Sequence, residues 1–88
     1  MNQPLDARRK RILFRSQRRG TKESDLVIGG FAAAYLASLD DVQLDRFEAL
    51  LDCSDPELLG WVVGAEAPPP EHDNDVLKLM KTFKNGMQ

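Results

Sequence analysis

Eighty-eight residues, 42% of them hydrophobic and 30% charged, describe one small folded domain. A chain of this length buries only about 60 to 65% of the surface its unfolded form exposes, so an enclosed pocket for a large cofactor would compete with the core for the same side chains. The single cysteine, Cys53, excludes an intramolecular disulfide and a cysteine-rich metal site, and it suits a reducing compartment.

The formal net charge of -2 conceals a strong polarity. Up to Lys22 there are eight basic side chains against Asp6; from Glu23 to Asp75 there are thirteen acids against Arg46; Lys78, Lys81 and Lys84 follow. Such asymmetry orients encounters with a partner and says little about fold. The longest uncharged stretch, Leu26 to Leu39, has 14 residues, against the roughly 20 that a spanning helix needs, so no membrane insertion is expected. The first residues lack the apolar block of a secretory signal, and Asp6 argues against an arginine-rich organelle presequence. On this reading the compartment is a bacterial cytoplasm rather than a mitochondrial matrix.

No stretch alternates with period two and no Asn-Gly signal joins β-branched runs, so no strand is expected. The predicted fold is all-α, a small five-helix bundle in a single domain, with its core between about residues 5 and 84 and disorder confined to the chain ends. The first helix is expected over about Leu5 to Arg18, after Pro4 and before Gly20, a residue that readily takes the left-handed conformation beyond a helix end. Its apolar content is thin, mainly Leu5, Ile12, Leu13 and Phe14, which places it at the edge of the bundle. The second starts near Lys22, with Thr21 as cap and with Glu23 and Asp25 complementing the helix dipole. From Leu26 to Leu39 it is apolar nearly all round and is predicted to be central. Gly29 and Gly30 each cost that helix about 1 kcal/mol relative to alanine; close approach of a neighbouring helix is the plain explanation, and a hinge or partner contact is the alternative.

Asp40 and Gln43 have capping-box spacing for a third helix, whose buried stripe is Leu44, Phe47, Leu50 and Leu51. Ser54 to Glu57, "SDPE", repeats that spacing with Pro56 in the opening turn of a fourth. Leu58, Leu59, Trp61, Val62 and Val63 are its expected core face, and Gly64 stops it. The three prolines of "AEAPPPEHDN" cannot continue a helix and favour an extended connection. Asp73 or Asn74 then caps a last helix in which Val76, Leu77, Met80, Phe83 and Met87 recur at helical spacing.

The inventory argues against catalysis. His72, the only histidine, lies in an acidic, proline-rich loop and is expected at the surface, with no cysteine or serine near it in a nucleophile arrangement. Cys53 reads as a small buried thiol. No glycine-rich phosphate loop follows a strand, and scattered carboxylates on helix surfaces serve solvation. No catalytic, cofactor-binding or metal-ligating residue is therefore assigned, and the chain is not expected to be an enzyme.

The basic stretch "RSQRRGTKESD" admits two readings. A small nucleic-acid-binding or general adaptor protein would use the arginines as phosphate contacts, but thirteen downstream acids repel a polyanion and no recognised nucleic-acid motif is present. A merely solvated basic helix accounts for Arg8 to Arg11 and poorly for Arg19-Gly20-x-x-Glu23.

The stretch "RRGTKESDLVIGGFAAAYL" resembles the R-G-x-x-E region of the succinate dehydrogenase flavinylation factors, the SdhE-like assembly factors of bacteria and their mitochondrial relatives. The likeness extends to "LLDCSDPELLGWVVG" and runs from about Arg8 to Phe83. It implies a helical bundle that binds the flavoprotein subunit of succinate dehydrogenase, and of fumarate reductase in some bacteria, and promotes covalent attachment of FAD. The FAD belongs to the partner, and this chain is expected to bind none. The resemblance also implies that Arg19, Gly20 and Glu23 form the partner-binding surface, joined by Asp25 and by Arg18 and Arg15. Thr21, Lys22 and Ser24 depart from the family pattern. Physically, a corner at Gly20 would let Arg19 and Glu23 project to one side, the guanidinium fork meeting a carboxylate or carbonyl and the glutamate accepting from a donor. The expected role is that of a monomeric chaperone, binding no nucleic acid, which positions the partner's own histidine against the flavin.

Overall fold

The computed structural model describes residues 5–87. Five helices account for the architecture: α1 (Ala7–Gln17), α2 (Lys22–Tyr35), α3 (Asp41–Leu51), α4 (Asp55–Val62) and α5 (Asp75–Asn85). Short 3-10 turns at Leu36–Ser38 and Pro70–His72 follow α2 and precede α5, and the described residues contain no strand. The all-α bundle expected from the sequence is the fold observed. The disorder expected at the chain ends falls largely on residues 1–4 and 88, which lie outside the described residues.

Each helix begins at a side chain that accepts from an otherwise orphaned N–H. Asp6 accepts from Arg9, so α1 starts two residues later than its apolar content suggests. Thr21 caps α2, and Asp40 with Gln43 forms the reciprocal box of α3. Ser54 caps α4, but Glu57 accepts from the Ser54 hydroxyl instead of its backbone, so the second box is not closed. Asn74 rather than Asp73 caps α5.

The core is organised around Phe31 of α2, which is fully buried. Its ring stacks on Tyr35 at 4.9 Å and meets Phe47 of α3 edge-on at 5.3 Å and Phe83 of α5 at 6.2 Å. Both mid-helix glycines are places of close approach. A Cβ on Gly29 would lie 3.2 Å from the Gln17 Cα and from the Ser16 carbonyl of α1, and one on Gly30 would lie 3.2 Å from the Phe83 ring. The apolar run from Leu26 to Leu39 is packed on several sides but not covered all round: Leu26 is 56% exposed, Ala33 and Ala34 also face solvent, and so does Ala37 in the 3-10 turn. Val63 too is exposed, because it follows the last turn of α4 rather than lying on its core face.

Helix α1 has little apolar surface, mainly Ile12, and is tied down by its charges instead. Arg8 bonds Asp45 and Glu48 of α3, Arg15 bonds Asp52, and Arg9 donates to the carbonyls of Leu36 and Leu39 at the two ends of the 3-10 turn that follows α2. The two carboxylates facing Arg8 raise its pKa further. Exposed pairs of this kind contribute little individually. Their collective effect is to lay the basic helix along the acidic one.

Candidate functional site

Two residues lie between Arg18, the C-cap of α1, and Thr21, the N-cap of α2: Arg19, and Gly20 at φ +105°. The positive φ is the left-handed corner expected there, and a Cβ at Gly20 would meet nothing within 4 Å. The demand for glycine is thus one of backbone conformation, with no steric component. The Asp25 carboxylate closes the corner from below, accepting from the Arg19 backbone N–H at 2.7 Å.

Arg19 does not project outward. Its guanidinium turns into the junction of α3 and α4, where Nε bonds the Asp55 carboxylate and Nη1 and Nη2 donate to the carbonyls of Leu51 and Cys53, each at 2.7 Å. The side chains of Arg19 and Asp55 are only 10% and 17% exposed. The second Asp55 oxygen accepts from the hydroxyl of Ser24, a fully buried residue. Two segments distant in sequence, residues 19–25 and 51–55, meet in one network.

This arrangement corrects the expectation that Arg19 and Glu23 face a partner together as opposite charges. Glu23 is exposed in the first turn of α2, while the Arg19 fork is occupied by its own chain. The carbonyls at the C-terminus of α3 and the acid opening α4 compete for the guanidinium and hold it. Arg15 is also engaged, with Asp52 at 2.8 Å. Arg18 lies over the exposed Phe14 ring, 4.4 Å from its centroid.

A shallow, open groove of about 660 Å³ runs past this corner, lined by Phe14, Arg15, Arg18, Arg19, Thr21, Asp55 and Pro56. Three assigned residues, Arg15, Arg18 and Arg19, thus share one concavity; Glu23 and Asp25 are not part of its lining. Sequence reasoning missed Phe14, Asp55 and Pro56. Phe14 is part of the apolar content of α1, yet it lies on the side of the helix away from Ile12 and is 59% exposed. Asp55 was legible only as one letter of a capping signature.

A second cluster escaped the sequence. His72 is half-buried rather than at the surface, stacked on Trp61 with centroids 5.4 Å apart, and its Nε2 lies 3.4 Å from the Cys53 Sγ. The two are brought together because the 3-10 turn at Pro70–His72 folds back over the end of α3. Burial pushes the Cys53 thiol above its ordinary pKa, and Glu57, Asp52 and Glu71 push in the same direction, so the pair lacks the thiolate character of a nucleophile. Among the described residues no group of three or more His, Cys, Asp or Glu is placed to hold a metal ion, and no helix is long and apolar enough to cross a membrane.

A protein-family model described as the flavinator of succinate dehydrogenase matches residues 10–84, from within α1 to the last turn of α5. Among curated proteins, the chain is 34% identical over 82 residues to a mitochondrial succinate dehydrogenase assembly factor 2-A of Drosophila mojavensis, covering 91% of this chain and 52% of that protein. It is 34% identical, over the same shares, to the mitochondrial succinate dehydrogenase assembly factor 2 of Culex quinquefasciatus. The corresponding factor of Candida glabrata is 33% identical over all of this chain and 60% of its own length. The chain therefore spans about half the length of the insect relatives it matches. These relatives are mitochondrial proteins of insects and a yeast, which overturns the expectation of a bacterial cytoplasm. That expectation rested on the first residues, and a chain covering half of its relatives carries no information about a leader.

Proposed function

The chain belongs to the family of flavinators of succinate dehydrogenase, and on that premise we propose that it is an assembly factor which binds the flavoprotein subunit of the enzyme and promotes covalent attachment of FAD. The observation that carries this reading is the family match across all five helices, corner and groove included. The flavoprotein subunit of fumarate reductase is a second client of the same chemistry. The flavin stays with the partner: the groove beside Gly20 is shallow and open, a shape suited to the edge of another polypeptide and unlike the enclosing pockets that hold small molecules.

The factor acts by positioning. Covalent attachment requires a side chain of the flavoprotein to meet the flavin ring, and holding two reacting groups in place removes much of the entropic part of the barrier. A rigid corner, latched by Arg19 to the α3–α4 junction, gives the factor a fixed shape against which the client settles. The competing nucleic-acid reading is not favoured, since Arg8, Arg9, Arg15 and Arg19 already bond within the chain and fewer cations are left for phosphates.

The test is the covalent flavin fluorescence of the succinate dehydrogenase flavoprotein subunit in a denaturing gel, with and without this protein. A rise with the factor present is expected; equal fluorescence in both lanes would defeat the assignment.

A further inference from the structure

The two sides of α1 use their cations differently. Arg8, Arg9, Arg15 and Arg19 are bonded within the molecule. Lys10, Arg11, Arg18 and Lys22 have no carboxylate at ion-pair distance among the described residues. Positions 11, 14 and 18 follow one another at helical spacing and so share a face. At its centre is Phe14, the most exposed of the large hydrophobic side chains.

Phe14 and Arg18 also form one wall of the groove, with Pro56 among its other lining residues. The stacked Arg18 is pre-organised: resting on the ring restricts its stem while the guanidinium edge is left to donate. Arginine and aromatic side chains are both enriched at protein interfaces. Charge identifies the occupant. From Glu23 to Asp75 thirteen acids face a single base, so an acidic ligand is repelled from most of the surface and directed to this face.

We propose that the Phe14–Arg18 edge of the groove is the docking surface for an acidic segment of the flavoprotein subunit, with a carboxylate on Arg18 and an apolar side chain against Phe14. The proposal rests on the reading of the partner given above. It moves the energetic centre of docking from Arg19 and Glu23 to a ring and a cation that precede the corner. Lys10, Arg11 and Lys22 form the rim, where charges set the rate of association more than the lifetime of the complex.

Binding kinetics to the purified flavoprotein subunit of succinate dehydrogenase, at low and physiological salt, test this directly. The proteins compared are the parent chain, Phe14→Ala, Arg18→Gln, the double variant Lys10→Gln/Arg11→Gln, and Val42→Ala as an exposed control on α3. Thermal melts verify that each folds, as expected for exposed positions. Phe14→Ala and Arg18→Gln are expected to speed dissociation about tenfold; the rim variant is expected to slow association mainly at low salt, and Val42→Ala to match the parent. If the parent binds and Phe14→Ala and Arg18→Gln bind equally well, the docking surface is wrong while the partner stands. If the parent fails to bind at all, the partner and the surface fall together. Retention of the parent on anionic phosphatidylglycerol vesicles or single-stranded DNA, lost in Arg18→Gln while flavoprotein binding is unchanged, assigns the face to a polyanion and overturns the proposal.

Discussion

Arg19, at the corner between α1 and α2, is ion-paired with Asp55 in the first turn of α4, and the pair is nearly closed off from solvent. Removing the guanidinium leaves a carboxylate and two carbonyls without their donor. Breaking a buried pair costs about 3 to 5 kcal/mol, and the residual exposure here reduces that to about 2 to 3 for Arg19→Ala. Urea denaturation of Arg19→Ala, Asp55→Ala and the double variant should give a coupling energy of about 1 to 3 kcal/mol. Additive single effects would show that the Arg19–Asp55 pair contributes nothing to the latch.

Glu23 provides the contrast. It is exposed and makes no side-chain hydrogen bond among the described residues, so Glu23→Ala should change stability by less than about 0.5 kcal/mol. Any loss of flavinylation in Glu23→Ala therefore reports on the client, whereas a loss in Arg19→Ala mixes docking with a loosened corner. Melting curves recorded beside the flavinylation assay separate the two.

Gly20 at φ +105° makes a specific demand on the backbone. Gly20→Ala is expected to destabilise by about 1 to 2 kcal/mol, since a Cβ disfavours the left-handed region. No neighbour lies within 4 Å of the added atom, so no repacking accompanies the strain. Gly20→Asn, which tolerates positive φ better, should recover part of the loss in the same denaturation experiment. Equal stability of parent and alanine variant would remove the conformational argument for this glycine.

The helices and their caps were legible because they depend on neighbours in sequence: Thr21 over Ser24, Asp40 with Gln43, and a positive-φ glycine after α1. The direction of Arg19 was not. Whether a corner arginine faces outward or folds back depends on acceptors more than thirty residues away, at Leu51, Cys53 and Asp55, and only tertiary packing brings them within reach. The same holds for Phe14, whose apolarity suggests burial while its helical phase turns it from Ile12, and for His72, carried to Cys53 by a turn among prolines.

Gly29 and Gly30 sit side by side in α2 and should respond differently to alanine. At Gly29 the added Cβ comes within 3.2 Å of α1 backbone atoms, which cannot move without shifting the helix. Overpacking of that kind costs about 1 to 3 kcal/mol, against a gain of about 1 kcal/mol in helix propensity. At Gly30 the obstacle is the edge of the half-buried Phe83 ring, a side chain able to tilt. Gly30→Ala should be close to neutral in thermal melts and Gly29→Ala clearly destabilised. The reverse order would contradict the helix contact.

The Cys53 thiol is held above its ordinary pKa chiefly by burial, helped by Glu57, Asp52 and Glu71 and opposed by Arg19. A raised value means that the folded chain binds the thiol proton more tightly than the unfolded one. The contribution is therefore fully present below the unfolded thiol's pKa of about 8.5 and is lost as pH rises through the folded value. Denaturation midpoints should fall on the alkaline side for the parent and fall less for Cys53→Ser. A chromogenic disulfide reagent near neutral pH should react more slowly with the folded chain than with the denatured one, because the thiolate is the attacking species. Faster labelling of the folded protein would contradict the raised value and mean that the thiol is activated in the fold after all.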